Sequence, residues 1–293
     1  MLHILAQRPC RLTCLKACRV TLPGTMDQHS RFSRVKYFRA FLALWALLSL
    51  LLQGACALPA SAGKPLFLED MTSPEVAQAI ADGRKTAIIY FGSTEQNGPH
   101  MVLGKHNRVA HHLAERLALA LGDALIYPVL PLAPTGDPVA RSGHMAFAGS
   151  ISVRSSTFEA LAQDIVLSAL ATGFETVLLL GDHGQGQEVL AALAHNFDQA
   201  LASHGRHVWH LSAMYDAATG GHAGREDTAM LLATDDAQRA KAGVRRAALA
   251  QAGGQPGVED DPQGATVAEG EAMLAQRLEA ALAQLRQLRR ADR

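Results

Sequence analysis

Short apolar runs along the chain are separated by longer segments in which apolar residues recur with a helical period. Four of these runs predict strands: TAIIYFGS (86–93), ALIYPVLPLAP (124–134), ETVLLLG (175–181) and HVWHLS (207–212). A short continuous apolar run between polar or turn residues is typical of a strand that is buried on both faces of a sheet. The prolines of the second run predict that it soon leaves the sheet.

Amphipathic segments lie between these strands and predict helices. The predicted helices run from Ser73 to about Gly83, from an Asn107 cap to Gly122, from Ser155 or Ser156 to Gly173, over 187–205, from near Glu226, and over about 266–290 as a surface helix. Because strands alternate with helices, we expect βαβ units, a mostly parallel sheet and helices on both faces. The predicted fold class is therefore α/β, in a single domain.

Charge is unevenly distributed, although the formal net charge is zero. Residues 1–39 carry eight Lys/Arg and one acidic residue, and residues 40–57 carry no charge. The remaining residues hold 19 Lys/Arg against 26 Asp/Glu. An acidic body has no electrostatic reason to bind nucleic acid or anionic lipid, so we expect neither as a partner.

The order of residue types near the N-terminus is typical of a secretory signal peptide. Three basic residues between 34 and 39 precede the uncharged run 40–52, which is too short for a comfortable membrane span, and small residues follow. We expect cleavage after Ala57 or Ala62, with a lipid anchor on Cys56 as the alternative. Residues 1–57 would then be an N-terminal extension plus signal peptide, and residues 63–293 an exported domain, periplasmic or secreted. All four cysteines lie before residue 58, so this domain would have no disulfide.

Three polar clusters, each containing histidine, are the candidate sites of chemistry. They span Glu95 to His106, GDHGQGQ (181–187) and GGHAGREDTAM (220–230), and the first two directly follow predicted strands. Open α/β sheets bind ligands at the carboxyl ends of their strands, where the imidazole of His183 could bind a metal. A phosphate-binding loop is the alternative for the second cluster. Its glycine order is Gly-x-x-Gly-x-Gly, however, and no Walker lysine follows.

Five segments together resemble the creatininase family of metal-dependent amidohydrolases. They are GSTEQNGPHMVLGKHN, GHMAFAGSISV, the Gly173-Phe174 turn, LLLGDHGQG and HAGREDTAM, within about residues 66–235. The resemblance implies a three-layer α/β/α sandwich with a mostly parallel central sheet, often assembled as a homo-hexamer. It also implies hydrolysis of a non-peptide C–N bond in a small amide, by water that one or two divalent metals activate.

The resemblance also implies a set of metal ligands, and this chain departs from it. Glu95 and His183 are retained. Asn97 stands where the family has a ligand histidine, His106 where it has a bridging aspartate, and Gln185 where some relatives have a second glutamate. Because an imidazole normally holds one metal, we expect a single ion bound by Glu95, His106 and His183. Two histidines and a carboxylate suit Zn, with Mn or Fe as alternatives.

The resemblance further suggests which residues act on the substrate. His222 would be a general acid/base or would orient the substrate, and Asp227, which replaces a family glutamate, would align His222. Five more residues are expected to contact the substrate or the ligands: Asn97, His100, His144, Asp182 and Gln185. Histidines on predicted helices and strands are expected to be structural: His111, His112, His195, His204, His207 and His210.

A second reading from a different class stays open, that of a catalytically silent protein that binds a small molecule or a metal. The missing Asp and His ligands favour this alternative. The retained pair Glu95 and His183 favours a hydrolase whose partner is a small-molecule amide.

Overall fold

Four parallel strands form the centre of the computed structural model, which describes residues 65–215, 221–234 and 243–292. The strands are β1 (Thr86–Phe91), β2 (Ala124–Ile126), β3 (Thr176–Gly181) and β4 (His207–His210). They lie in the order β2-β1-β3-β4, and every pairing is parallel. β1 and β3 pair from Thr86 opposite Thr176 to Phe91 opposite Gly181, so their carboxyl ends meet at one edge of the sheet.

Helices connect and cover these strands. They are α1 (Ser73–Ala81), α2 (Lys105–Leu121), α3 (Ser155–Thr172), α4 (Gln187–Leu201), α5 (Arg225–Ala233), α6 (Arg246–Leu249) and α7 (Val267–Ala291). Short 3-10 turns occur at Leu68–Asp70, Gly143–Ala146, Ala202–His204 and Ser212–Met214. The described residues belong to one compact unit, Gly63–Arg293.

Two hydrophobic cores lie on opposite faces of the sheet. Ile88, Tyr90 and Leu178 point to the face that α2 and α7 cover, whereas Ile89 and Leu179 point to the face that α3 and α4 cover. This alternation is the period-2 pattern of a strand, and both sets are apolar because both faces are buried. The architecture is thus a three-layer α/β/α sandwich around a parallel sheet, which confirms the predicted fold class.

Two predicted boundaries differ from the structure. β2 ends at Ile126. Tyr127 N–H still donates to the carbonyl oxygen of Ile88, and Leu130 forms an isolated bridge with Phe91, but the ladder is interrupted because proline lacks the N–H that it needs. The prediction that Asn107 caps α2 is wrong, since Gly104 occupies that position. The Asn107 side chain instead donates to Thr94 Oγ1 at 3.3 Å.

The prediction of a surface helix over about 266–290 is confirmed by α7. A capping box of Thr266 and Glu269 starts the helix, and Leu274, Ala281 and Leu285 are its buried positions, on the side that faces the sheet. Their spacing places them on one stripe of a helix whose other positions are charged or polar. α7 is therefore part of one outer layer and packs closely along α5 and α2.

The extension and signal peptide predicted at residues 1–57 lie outside the described residues. None of the helices in the described part of the chain combines the length and the apolar composition that a membrane span requires.

Candidate active site

A cavity of about 630 Å³ opens at the carboxyl ends of β1 and β3. The loop after β1 supplies Glu95, the loop after β3 supplies Asp182 and His183, and the first turn of α2 supplies Lys105 and His106. Parallel strands bring these loops to one edge of the sheet, as the sequence led us to expect. The other walls come from α5 and α7 and from the 3-10 turn at Gly143–Ala146.

The buried carboxylate of Glu95 lies at the centre of this site. Its Oε2 atom accepts a hydrogen bond from Ser93 Oγ at 2.7 Å and lies 2.9 Å from His183 Nε2. Its Oε1 atom lies 3.1 Å from His106 Nε2. Burial alone would raise the pKa of Glu95, but the hydrogen bonds with His106 and His183 outweigh it and hold that pKa well below its usual range. Glu95 is therefore an ionised carboxylate.

Two more imidazoles approach the same carboxylate. His144 Nε2 lies 3.6 Å from Glu95 Oε1, and His222 Nδ1 lies 3.9 Å from it. The rings of His144 and His222 are 4.5 Å apart, and that of His144 is 6.0 Å from that of His183. Four histidines from separate parts of the chain thus surround one carboxylate.

This donor set fits a divalent metal. Glu95, His144 and His183 each offer one ligand atom, and these atoms lie within 4.8 Å of one another. Of the set expected from the sequence, His106 and His183 both contact Glu95, but His106 is not part of this group. His144, which the sequence suggested only as a substrate contact, takes that place. No spacing rule singles out His144, because it lies 49 positions after Glu95 on a different loop.

The outer nitrogens of two of these rings are also occupied. His106 Nδ1 lies 2.9 Å from Asp182 Oδ2, and His183 Nδ1 lies 3.2 Å from both the carbonyl oxygen and the backbone nitrogen of Gln185. Ligand histidines in metal sites usually donate their second N–H to such acceptors. Asp182 and Gln185, both expected near the ligands, therefore support the rings that face Glu95. The Gln185 contact is made by its backbone.

His222 and Asp227 both line the cavity, but they are not in direct contact. The Asp227 carboxylate accepts a hydrogen bond from the backbone N–H of Ala223 at 2.9 Å, and it forms an ion pair with Lys105. It thus contacts the backbone of the residue after His222, and its charge acts on the His222 ring through space. Burial, with Lys105 as the second cause, lowers the pKa of His222 to about 4, so its imidazole is neutral at neutral pH.

Lys105 is the lining residue that the sequence least suggests. It is 2% exposed, although a lysine at the first position of a helix is normally solvated. Lysine is rarely fully buried without a partner, and Asp227 supplies one. Burial alone would raise the pKa of Asp227, but Lys105 lowers it to about 2.

Asn97 and His100 are not among the described residues that line the cavity. The Asn97 side chain donates to the carbonyl oxygens of Glu95 at 2.9 Å and Val102 at 3.2 Å, so it shapes the loop that carries Glu95. His100 is buried, and its Nε2 atom lies 2.9 Å from Thr228 Oγ1.

Comparison with known proteins identifies the family of this chain. The family model described as "Creatininase: Creatinine amidohydrolase" matches residues 69–285. Two curated relatives are named mycofactocin precursor peptide peptidase. One, from Mycobacterium ulcerans, is 31% identical over 50% of this chain and 56% of its own length. The other, from Mycolicibacterium smegmatis, is 29% identical over 64% of this chain and 79% of its own. The chain thus spans little more than half of the first relative.

Solved creatininase structures share the fold. A tryptophan-to-alanine mutant creatininase superposes with a TM-score of 0.59 at 18% identity, over 76% of this chain and 98% of that one. Two further solved structures are a mutant creatininase of Zn-Zn type and an Mn creatininase. Their TM-scores are 0.56 and 0.57, each at 19% identity over 76–77% of this chain and 98% of the other. The family model covers well over half of the chain, and the resemblance noted in the sequence is thereby confirmed: the chain belongs to the creatininase family of hydrolases.

Proposed function

We propose that the protein is a metal-dependent amidohydrolase that cleaves the C–N bond of a small-molecule amide. The observation that carries this proposal is the ionised, fully buried carboxylate of Glu95 at the base of the cavity, surrounded by four imidazoles. A buried charge is costly unless cations or hydrogen bonds compensate it, and a divalent metal between these donors would do so.

Glu95, His183, His106 and His144 would hold this metal. Carboxylate and imidazole donors suit Zn, and also Mn or Fe. One ion per chain agrees with the surroundings better than two, because Asn97, at a family ligand position, does not line the cavity, and its NH₂ group is bonded to backbone carbonyls. A bound divalent metal would polarise the amide carbonyl and lower the pKa of a bound water.

His222 would move the proton in this reaction. Its Nε2 atom lies 2.9 Å from the carbonyl oxygen of Gln96, which can only accept, so Nε2 carries the ring proton. The unprotonated Nδ1 then faces Glu95 and the cavity. Because the pKa of His222 is lowered to about 4, this nitrogen is available as a base at neutral pH and can return the proton to the leaving amine.

Peptide-bond cleavage is the second candidate. Two curated relatives carry the name of a precursor peptide peptidase, and the same polarised carbonyl and general base would serve a peptide amide. The two candidates share a metal, a base and a bond type, and they differ in the length of chain that enters the cavity.

Metal analysis combined with an amide panel tests the proposal. The purified protein would be assayed for Zn, Mn and Fe, and then for hydrolysis of cyclic amides, primary amides and short peptides. We expect about one metal per chain, with metal and activity both lost in Glu95→Gln and in His183→Asn. His195→Asn, which alters an exposed histidine on α4, is the matched control.

Three outcomes would contradict the proposal in different ways. Two tightly bound metals per chain would refute the single ion. A bound metal without hydrolysis of any amide would favour the silent binding protein. Activity that survived both Glu95→Gln and His183→Asn would refute the mechanism.

We also propose that the protein is exported and assembles as a homo-oligomer, both on the strength of the sequence. The basic, apolar and small-residue order over 34–62 supports export, and the family resemblance supports a hexamer. Mass spectrometry of the protein from fractionated cells would show a chain that starts at about residue 58 or 63. Light scattering would give its assembly state, and a full-length cytoplasmic monomer would contradict both expectations.

A further inference from the structure

The connection between α6 and α7 lies against two loops of the candidate active site. Its residues 257–260, termed the strap, contact the loop after β1, because a Cβ on Gly257 would overlap Gln96 Oε1. They also contact residues 221–225, termed the His222 segment, where the N–H of Glu259 donates to the carbonyl oxygen of His222 at 2.9 Å. The strap thus touches the loops that supply Glu95 and His222.

Two carboxylates of the strap accept hydrogen bonds from the backbone of the His222 segment. Glu259 Oε2 accepts from the N–H of His222 at 2.8 Å. Asp260 uses both of its oxygens, since Oδ2 accepts from the N–H of Gly221 at 3.1 Å and Oδ1 from that of Arg225 at 2.9 Å. Most of the backbone N–H groups of the segment are therefore bonded to the strap.

The glycines of the His222 segment fit the strap closely. A Cβ on Gly224 would overlap the Asp260 carboxylate, and a Cβ on Gly221 would lie 2.7 Å from the Cβ of Glu259. Glycine lets a second chain segment approach this closely because it has no side chain. The two segments are thus shaped to lie against each other.

The backbone next to His222 is strained. Ala223 has a φ of +58°, a left-handed conformation that is unfavourable for a residue with a side chain. Such conformations persist only where the surrounding contacts over-determine them, and they cluster at functional sites. Here Asp227 accepts from the N–H of Ala223 at 2.9 Å, and the strap holds the residues on either side of it.

The held backbone directs the His222 ring to the centre of the site. Its Nε2 atom lies 2.9 Å from the carbonyl oxygen of Gln96, and its Nδ1 atom lies 3.9 Å from Glu95 Oε1. We propose that Glu259 and Asp260 are positioning residues, which hold His222 in this place by fixing the backbone of its segment. The effect on catalysis rests on the proposed function, but the positioning itself does not.

The two carboxylates should respond differently to replacement by an amide. Glu259 uses one oxygen, so Glu259→Gln keeps the acceptor that Glu259→Ala removes. Asp260 uses both oxygens, so in Asp260→Asn the NH₂ group, which only donates, would face an N–H group. Asp261→Asn is the matched control. It removes the same charge one position further on, where Asp261 Oδ1 accepts from the N–H of Gln263 at 3.0 Å.

The primary measurements use the full-length, metal-free protein. Hydrogen exchange followed by mass spectrometry should be faster in peptides that contain the His222 segment in Glu259→Ala and Asp260→Asn, and unchanged in Glu259→Gln and Asp261→Asn. Modification of His222 by diethyl pyrocarbonate, with the exposed His195 as internal reference, should accelerate in the same two variants.

Two outcomes of these measurements would overturn the proposal. One is exchange that is unchanged in Asp260→Asn. The other is faster exchange without faster modification of His222, because the ring would then be held by other contacts.

Zn²⁺ affinity and turnover separate the position of His222 from the metal site. The substrate is the amide of the panel that the Zn²⁺-loaded wild type hydrolyses fastest. Because misplacing a catalytic group can cost about 100-fold, kcat and kcat/KM should fall together by about 10–100-fold in Asp260→Asn. Zn²⁺ affinity, measured with a competing chelator, should stay at the wild-type value.

A parallel loss of Zn²⁺ affinity in Asp260→Asn would overturn the assignment of the effect to His222, and so would a kcat equal to that of Asp261→Asn. If the wild type hydrolysed no amide, the proposed function would fail, and hydrogen exchange and His222 modification would still decide the positioning.

Discussion

The buried ion pair between Lys105 and Asp227 should make a large, pH-dependent contribution to stability. Lys105 is 2% exposed and the Asp227 side chain 19%, so solvent screens the pair weakly. The pKa of Asp227 falls from 3.8 to about 2 in the folded protein, with Lys105 the largest favourable cause. At 1.36 kcal/mol per unit, this shift corresponds to about 2.5 kcal/mol. We therefore expect Lys105→Met, which keeps most of the side-chain volume, to lower the free energy of unfolding by about 2–3 kcal/mol at neutral pH.

The sign of the pH dependence follows from the direction of the shift. Because the folded pKa of Asp227 is lowered, its contribution is complete above its ordinary pKa of 3.8 and is lost as the pH falls toward about 2. The difference between the wild type and Lys105→Met should therefore shrink below about pH 4.

Urea unfolding of the metal-free protein, with a chelator present, measures both effects. The series comprises the wild type, Lys105→Met, Asp227→Asn and the double variant, at about pH 7 and about pH 3. The double variant should be more stable than the sum of the single losses predicts, because it leaves no unpaired buried charge. A difference between the wild type and Lys105→Met below about 0.5 kcal/mol at pH 7, or one that stays constant down to pH 3, would refute the reasoning.

Three further predictions concern packing, metal binding and capping. Gly270→Ala should lower the free energy of unfolding by about 1–3 kcal/mol, although alanine favours helices, because the new Cβ would lie 2.0 Å from the carbonyl oxygen of Ala229. As a control, Ala272→Gly at an exposed position of the same helix should cost about 1 kcal/mol through helix propensity alone. A Gly270→Ala variant more stable than the wild type in urea would contradict the close contact between the two helices. Zn²⁺ at 100 times its Kd should raise the free energy of unfolding by about 2.7 kcal/mol in the wild type but not in His183→Asn, as thermal unfolding with and without Zn²⁺ would show. An equal rise in both proteins would mean that the ion binds elsewhere. Thr266→Ala should cost about 1 kcal/mol and destabilise α7 first, which hydrogen exchange would show as faster exchange in that helix alone.

The order of elements and the fold class could be predicted from the sequence because the hydrophobic pattern is strong. Each of the four strands is a run that is buried on both faces, and glycine ends α2 and α3 at Gly122 and Gly173, where the backbone adopts positive φ. The start of α2 could not be placed in the same way. Asn107 is a good cap by type, but its side chain is used in a tertiary contact with Thr94.

The centre of the site could be predicted only in part. Glu95 and His183 follow strands directly, so the edge of the sheet brings them together whatever the loops do. His144 reaches them from a loop whose path depends on the packing of the whole molecule. Lys105 and Arg277 have the residue types of an exposed surface, and only the carboxylates of Asp227 and Asp182 that face them explain their burial.

The position of α7 has a consequence for the order in which the molecule can mature. β1, α2 and β3 supply Glu95, His106 and His183, but the arginine that fixes Asp182 comes from a helix that follows all of them in the chain. Completion of the site therefore depends on the last helix, although that helix carries none of the candidate ligands. A chain cut before α7 would keep Glu95, His106 and His183 but would lose the guanidinium beside Asp182 and one wall of the cavity.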